Sequence, residues 1–137
     1  MFFNPQVEEW DPSMAAIEAA HLAEDSVILF PVLAETYGLG SCAEVGFSIL
    51  NAIKLDNIRD FVLLIDDRLD EELMQDAAMS KESLRARALV KQHLKKLALS
   101  NVYLVDDLDT MLEASVDLYN AAKARIKLQH LNLHLRA

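Results

Sequence analysis

The sequence predicts an α/β fold built on a mainly parallel sheet. Three observations carry that prediction. Short apolar runs rich in branched residues recur along the chain, and helical apolar spacing fills the gaps between them. All three glycines (Gly38, Gly40 and Gly46) fall within nine residues, which gathers the turn signals at one strand-to-helix junction. Strand and helix therefore alternate, and alternation requires right-handed βαβ crossovers.

Residues 2–7 form a weaker strand candidate, and Pro5 confines it to an edge or a strand end. Asp11-Pro12 supplies an N-cap and first helical position for a helix over 13–24. The first strong strand is 26–32 (SVILFPV). A helix over 41–53 carries Val45, Ile49 and Ile53 at helical spacing, and 61–65 (FVLLI) is the next strand. Ser80 caps a helix over 81–97 whose apolar stripe is Leu84, Ala88 and Leu94. Residues 101–105 (NVYLV) form the third strong strand, and Asp107 or Asp109 caps a long last helix through Met111, Leu112, Leu118, Tyr119 and Ala122. The alternating residues 126–136 either extend that helix or add a strand. Their five apolar positions, if exposed, make a contact between subunits, so a homo-oligomer is expected.

Composition narrows the function. A chain of 137 residues with 53% hydrophobic content is one domain, 1–137, with a real core. Thirteen Lys and Arg against 22 Asp and Glu leave a net charge of -9, which excludes a nucleic-acid polymer as partner because phosphate neutralisation needs a basic face. A single nucleotide remains compatible, because backbone amides alone can hold it. One cysteine excludes a disulfide framework and a Cys-rich zinc site and fits a reducing compartment. No 18-residue window is free of charge, and residues 1–6 have neither a basic nor an apolar leader region. A cytoplasmic protein with no membrane partner is expected.

The segment 35–47 follows the first strong strand and opens a helix. A glycine turn in that position offers backbone N–H groups and the positive end of the helix dipole to an anion or polar ligand. It is neither a dinucleotide fingerprint nor a Walker loop, because no Gly stands three residues after Gly40 and no Gly-Lys-Ser/Thr is present. Glu44 admits two readings. Ser41-x-x-Glu44 is a capping box, in which Glu44 reaches back to the backbone of Ser41. Alternatively, Glu44 is a carboxylate nucleophile kept ionised by the helix dipole. Glu35 stands on the other side of the glycine turn, and two carboxylates flanking one cleft are what a retaining glycosyl reaction uses.

The run ILFPVLAETYGLGSCAEVGFSI, with FNPQVEEWDPS upstream, resembles the nucleoside 2-deoxyribosyltransferase-like family. The resemblance extends from about Phe3 to Ile65 and more loosely to the end. It implies a flavodoxin-like (Rossmann-like) three-layer sheet flanked by helices. It also implies a glutamate that attacks C1′ of a deoxynucleoside or its monophosphate and passes the sugar to another base or to water. That nucleophile falls on Glu44, the acidic residue contacting base or sugar on Glu35, and the glycine turn on Gly38 to Gly40. Asn4 and Gln6 fall near the family's base pocket. Two departures stand out. The similarity begins after the family's usual first strand and its glycine loop, so a sheet lacking that strand is expected. The spacing from the glycine turn to Glu44 also exceeds that of the short bacterial transferases.

The resulting expectation is a small-molecule N-glycosyl enzyme with no cofactor and no metal. Amides around Gly38, Gly40 and Ser41 hold sugar hydroxyls or a phosphate, Tyr37 lines the sugar pocket or packs on the sheet edge, and Asp66 is a third polar contact. The alternative is a non-catalytic nucleotide-binding or oligomeric scaffold derived from that family. Cys42 is expected as a small core residue, and Trp10 as a packing anchor. His21, His93, His130 and His134 are scattered and supply no third ligand for the one-turn pair 130/134. Residues 83–87 (SLRAR) are expected to be a solvated helix face or, otherwise, a contact for a 5′-phosphate.

Overall fold

The computed structural model describes residue 4, residues 11–46 and residues 59–133. The strand expected over 2–7, Gln6, Trp10 and His134 lie outside the described residues.

Helix α1 (Met14–Glu24) leads into β1 (Val27–Val32). Asp11 fixes the helix start by accepting hydrogen bonds from the Ser13 backbone N–H (2.8 Å) and the Ser13 hydroxyl. Helix α2 follows β1 and is described over residues 39–46. Then come β2 (Asp60–Ile65), the short α3 (Glu71–Met74), α4 (Ala77–Leu97), β3 (Val102–Val105) and α5 (Leu108–Lys127). A 3₁₀ turn, Gln129–Leu131, follows α5, so the alternating residues 126–131 continue from the last helix as a helical turn, while 134–137 lie outside the described residues.

The three strands form one parallel sheet in the order β1-β2-β3, with Val27 opposite Asp60 and Phe61 opposite Val102. Central β2 is buried along its whole length, which explains its unbroken apolar run. Alternation along the strands assigns two faces. Ile28, Phe30, Val32, Phe61, Leu63 and Ile65 pack with Cys42 and Val45 of α2 and Leu94 of α4. Val62 and Leu64 pack on the opposite face with Met111 of α5, flanked by Leu29, Val105, Ala114 and Leu118. The result is an α/β architecture of three layers, a parallel sheet with helices on both faces.

Three local expectations are corrected. Helix α4 begins at Ala77, not after Ser80, because Asp76 is its N-cap and accepts from the Met79 N–H at 3.1 Å. The Ser80 side chain turns inward and donates to the Leu73 carbonyl at 2.7 Å, tying α4 to α3. Ala88, placed on the apolar stripe, is exposed; the buried face of α4 is Ser80, Ser83, Arg87 and Leu94, with Val90 packed between. Helix α2 starts two residues earlier than 41, which puts Gly40 and Ser41 inside its first turn.

Candidate functional site

The site is built where β1 ends. After Val32 the chain makes a short loop and re-enters helix at residue 39. Gly38 is the pivot: its φ is +62°, and a Cβ there would stand 2.4 Å from Val32 Cγ1. Its N–H donates to the Thr36 hydroxyl at 3.2 Å, and its carbonyl accepts from Cys42 N–H at 3.0 Å as the first helical bond of α2. Glycine is required at position 38. A Cβ at Gly40 or Gly46 would meet open space.

Arg87 holds this loop from beneath. Its side chain is 1% exposed, and its guanidinium donates to backbone carbonyls at the carboxyl ends of two strands. Nη2 donates to Leu33 (2.9 Å) and to Thr36, and Nη1 to Asp66 (3.0 Å) and, at 3.5 Å, to Val32. Nε donates to the Ser83 hydroxyl (3.2 Å), which in turn donates to the Tyr37 carbonyl (2.6 Å). Burial lowers the Arg87 pKa, and the nearby Cys42 and Asp66 pull it back up. Carbonyl dipoles converging on one fork satisfy a buried cation, as a guanidinium's planar donor array allows. In the stretch 83–87, then, Arg85 is on solvent while Arg87 is a buried structural anchor. The signal for this lay in the 3-4-3-4 spacing of Ser80, Ser83, Arg87, Val90 and Leu94, where two small serines leave room for one long side chain.

Tyr37 leaves the loop sideways. Its hydroxyl donates to the Leu73 carbonyl at 2.8 Å and fastens the loop to α3. Asp66 is half-buried at the end of β2, with its N–H bonded to the Val32 carbonyl at 2.9 Å. Ser41 is half-buried, Glu35 and Gly40 are exposed, and Asn4 is exposed.

Glu44 sits in the second turn of α2, half-buried. Its carboxyl pKa is raised, first by burial and then by Glu18 of α1, whose charge and side-chain hydrogen bond both favour the protonated form. The sequence pattern did not single out Glu18, because it lies on the polar part of α1 in no motif. Glu35 is held in none of these interactions. The structure thus joins Glu44 to Glu18, and groups Gly38, Tyr37, Ser83, Arg87 and Asp66 in one loop scaffold. Among the described residues no group of His, Cys, Asp and Glu is placed to hold a metal ion, and no helix is long and apolar enough to cross a membrane. No family model, curated protein or solved structure matches the chain.

Proposed function

We propose that the chain is an N-glycosyl enzyme on a flavodoxin-like sheet, acting on a (deoxy)nucleoside or its monophosphate, with Glu44 as nucleophile. The observation that carries this reading is the placement of Glu44. It is a half-buried carboxyl on the helix that opens at the carboxyl end of β1, hydrogen-bonded to the side chain of Glu18, and its pKa is raised first by burial. Parallel sheets bind ligands at that end of their strands. A Glu44 oxygen attacks C1′ as the C1′–N bond breaks. The bonding pair leaves on the base nitrogen, which takes up a proton. A second base or water then attacks C1′ and releases the Glu44 carboxylate.

Glu18 is a positioning residue in this scheme. It lies within hydrogen-bond reach of Glu44, whereas a retaining pair that brackets a glycosidic bond stands roughly 5–5.5 Å apart. Glu18 therefore sets when Glu44 ionises, and the leaving-group proton belongs to Glu35 or solvent. The amides of Gly40 and Ser41, in the first turn of α2, face the sugar hydroxyls or a phosphate, because first-turn amides lack partners within any helix. Asp66 and Tyr37 line the same end of the sheet.

The test is product analysis by liquid chromatography. Deoxynucleosides and their monophosphates are incubated with and without an acceptor base, using wild type and Glu44→Ala. Free base or exchanged nucleoside that disappears in the variant is the expected result, and acceptor dependence separates transfer from hydrolysis. Saturable nucleotide binding without turnover, unchanged in Glu44→Gln, would replace this reading with the binding-module one.

A further inference from the structure

Helix α5 has two apolar faces, and the sheet uses only one. Met111, Ala114, Leu118 and Ala122 face the core. Leu108, Leu112, Val116, Tyr119 and Ile126 are 47–58% exposed. At 3.6 residues per turn these five fall within about a quarter of the helix circumference. A contiguous exposed stripe of large apolar side chains marks an interaction surface.

Charge along the stripe identifies the occupant. Its outer flank carries Asp109 and Glu113 in the amino-terminal half and Lys123 and Lys127 in the carboxy-terminal half, all exposed. Lys123 lies over the Tyr119 ring, 5.5 Å from its centroid, so its stem covers part of the stripe. We propose that this face pairs with the same face of a second copy of the chain, the two helices running antiparallel about a two-fold axis between Val116 and Tyr119. In that arrangement Val116 meets Tyr119 of the second copy, and Leu108 meets the Ile126 end. Asp109 and Glu113 face Lys127 and Lys123 of the second copy. A two-fold interface is self-complementary by construction, and this flank is complementary only to its own reverse. Parallel pairing would set this flank against the opposite flank of the second helix, around Ser115, which carries no charge to meet it. A membrane surface is a poorer occupant, because helices that lie on anionic lipid carry a basic polar face and this one is acidic over half its length. The inference does not rest on the reading of Glu44.

Sedimentation of the full chain across a micromolar concentration series tests it. The wild type is expected to be a dimer, and Leu112→Asp a monomer with an unchanged far-ultraviolet circular dichroism spectrum. Two charge variants fix the direction of pairing. D109K/E113K makes the flank wholly basic, and K123E/K127E makes it wholly acidic. Each alone is expected to weaken self-association at least about tenfold, because it sets like charges against one another across the interface. Mixed, they are expected to form a heterodimer. A monomeric wild type overturns the proposal, including one that floats with anionic vesicles. So do a dimer that survives Leu112→Asp, and charge variants that each dimerise like wild type.

Discussion

At the scale of single residues, Gly38 and Arg87 solve one steric problem. The loop after β1 must turn within a few residues, and the carbonyls of Leu33 and Thr36 point to the buried Arg87 guanidinium. Arg87 supplies the donors, and Gly38 supplies the left-handed backbone that lets the loop lie against Val32. Gly38→Ala combines a left-handed alanine with a Cβ overlapping Val32, so it should cost about 2 kcal/mol or more in urea unfolding. Gly40→Ala, inside α2 and facing open space, should be neutral or stabilising by up to about 1 kcal/mol. Equal losses in the two variants would refute the division of labour between these glycines. Glu44 makes a prediction with a sign. Its folded pKa is raised above the ordinary 4.5. Between those two values the native state binds the extra proton, so stability falls as pH rises through the window. Glu44→Gln cannot ionise and keeps a donor for Glu18. It should be more stable than wild type at pH 7, with the difference vanishing below pH 4.5. In the catalytic reading, the acid limb of the rate profile follows the same ionisation, and Glu18→Gln should move that limb to lower pH.

At the scale of elements, the helix that the sequence places least accurately is the one that builds the site. In the sequence Ser80 reads as the cap of α4, because serine before a helical stripe is a good capping signal. Asp76 stands at the true start, and Ser80 was needed four residues later as a buried donor. The choice between two capping candidates depends on which turn the tertiary contacts require, and α3, which fixes that turn, has only four residues of pattern. The buried face of α4 departs from the apolar stripe for a related reason. An arginine satisfied by carbonyls from distant strands has no counterpart in local sequence, so position 87 read as solvent-facing. Asp76→Ala should cost about 1 kcal/mol and speed amide exchange at Met79, while Asp76→Ser should restore most of both. Protection at Met79 unchanged in Asp76→Ala would show that packing, not the cap, holds the first turn.

At the scale of the molecule, the strands are the most legible feature, because short apolar runs rich in branched residues mark them between turn signals, although only β2 is buried along its whole length. All three fell within a residue of their expected bounds, and the junction between β1 and α2 was legible from its glycines. The pairing of Glu44 with Glu18 was not, since it joins helices on either side of a strand through two residues whose individual patterns are ordinary. The layers also differ in depth. On one face α2 and α4 bury a broad cluster around Phe61 and Leu63, while on the other α5 reaches β2 chiefly through Met111. Cooperative units with fewer buried apolar contacts open at lower free energy. Native-state hydrogen exchange should therefore show α5 exchanging through a partial opening, while β2, buried along its length, exchanges only through global unfolding. Met111→Ala, which should cost about 2–5 kcal/mol, should widen that gap. Identical protection in α5 and β2, both collapsing together in Met111→Ala, would mean that the three layers fold as one unit, with the single seam at Met111 coupling the last helix to the sheet as tightly as the larger cluster couples the others.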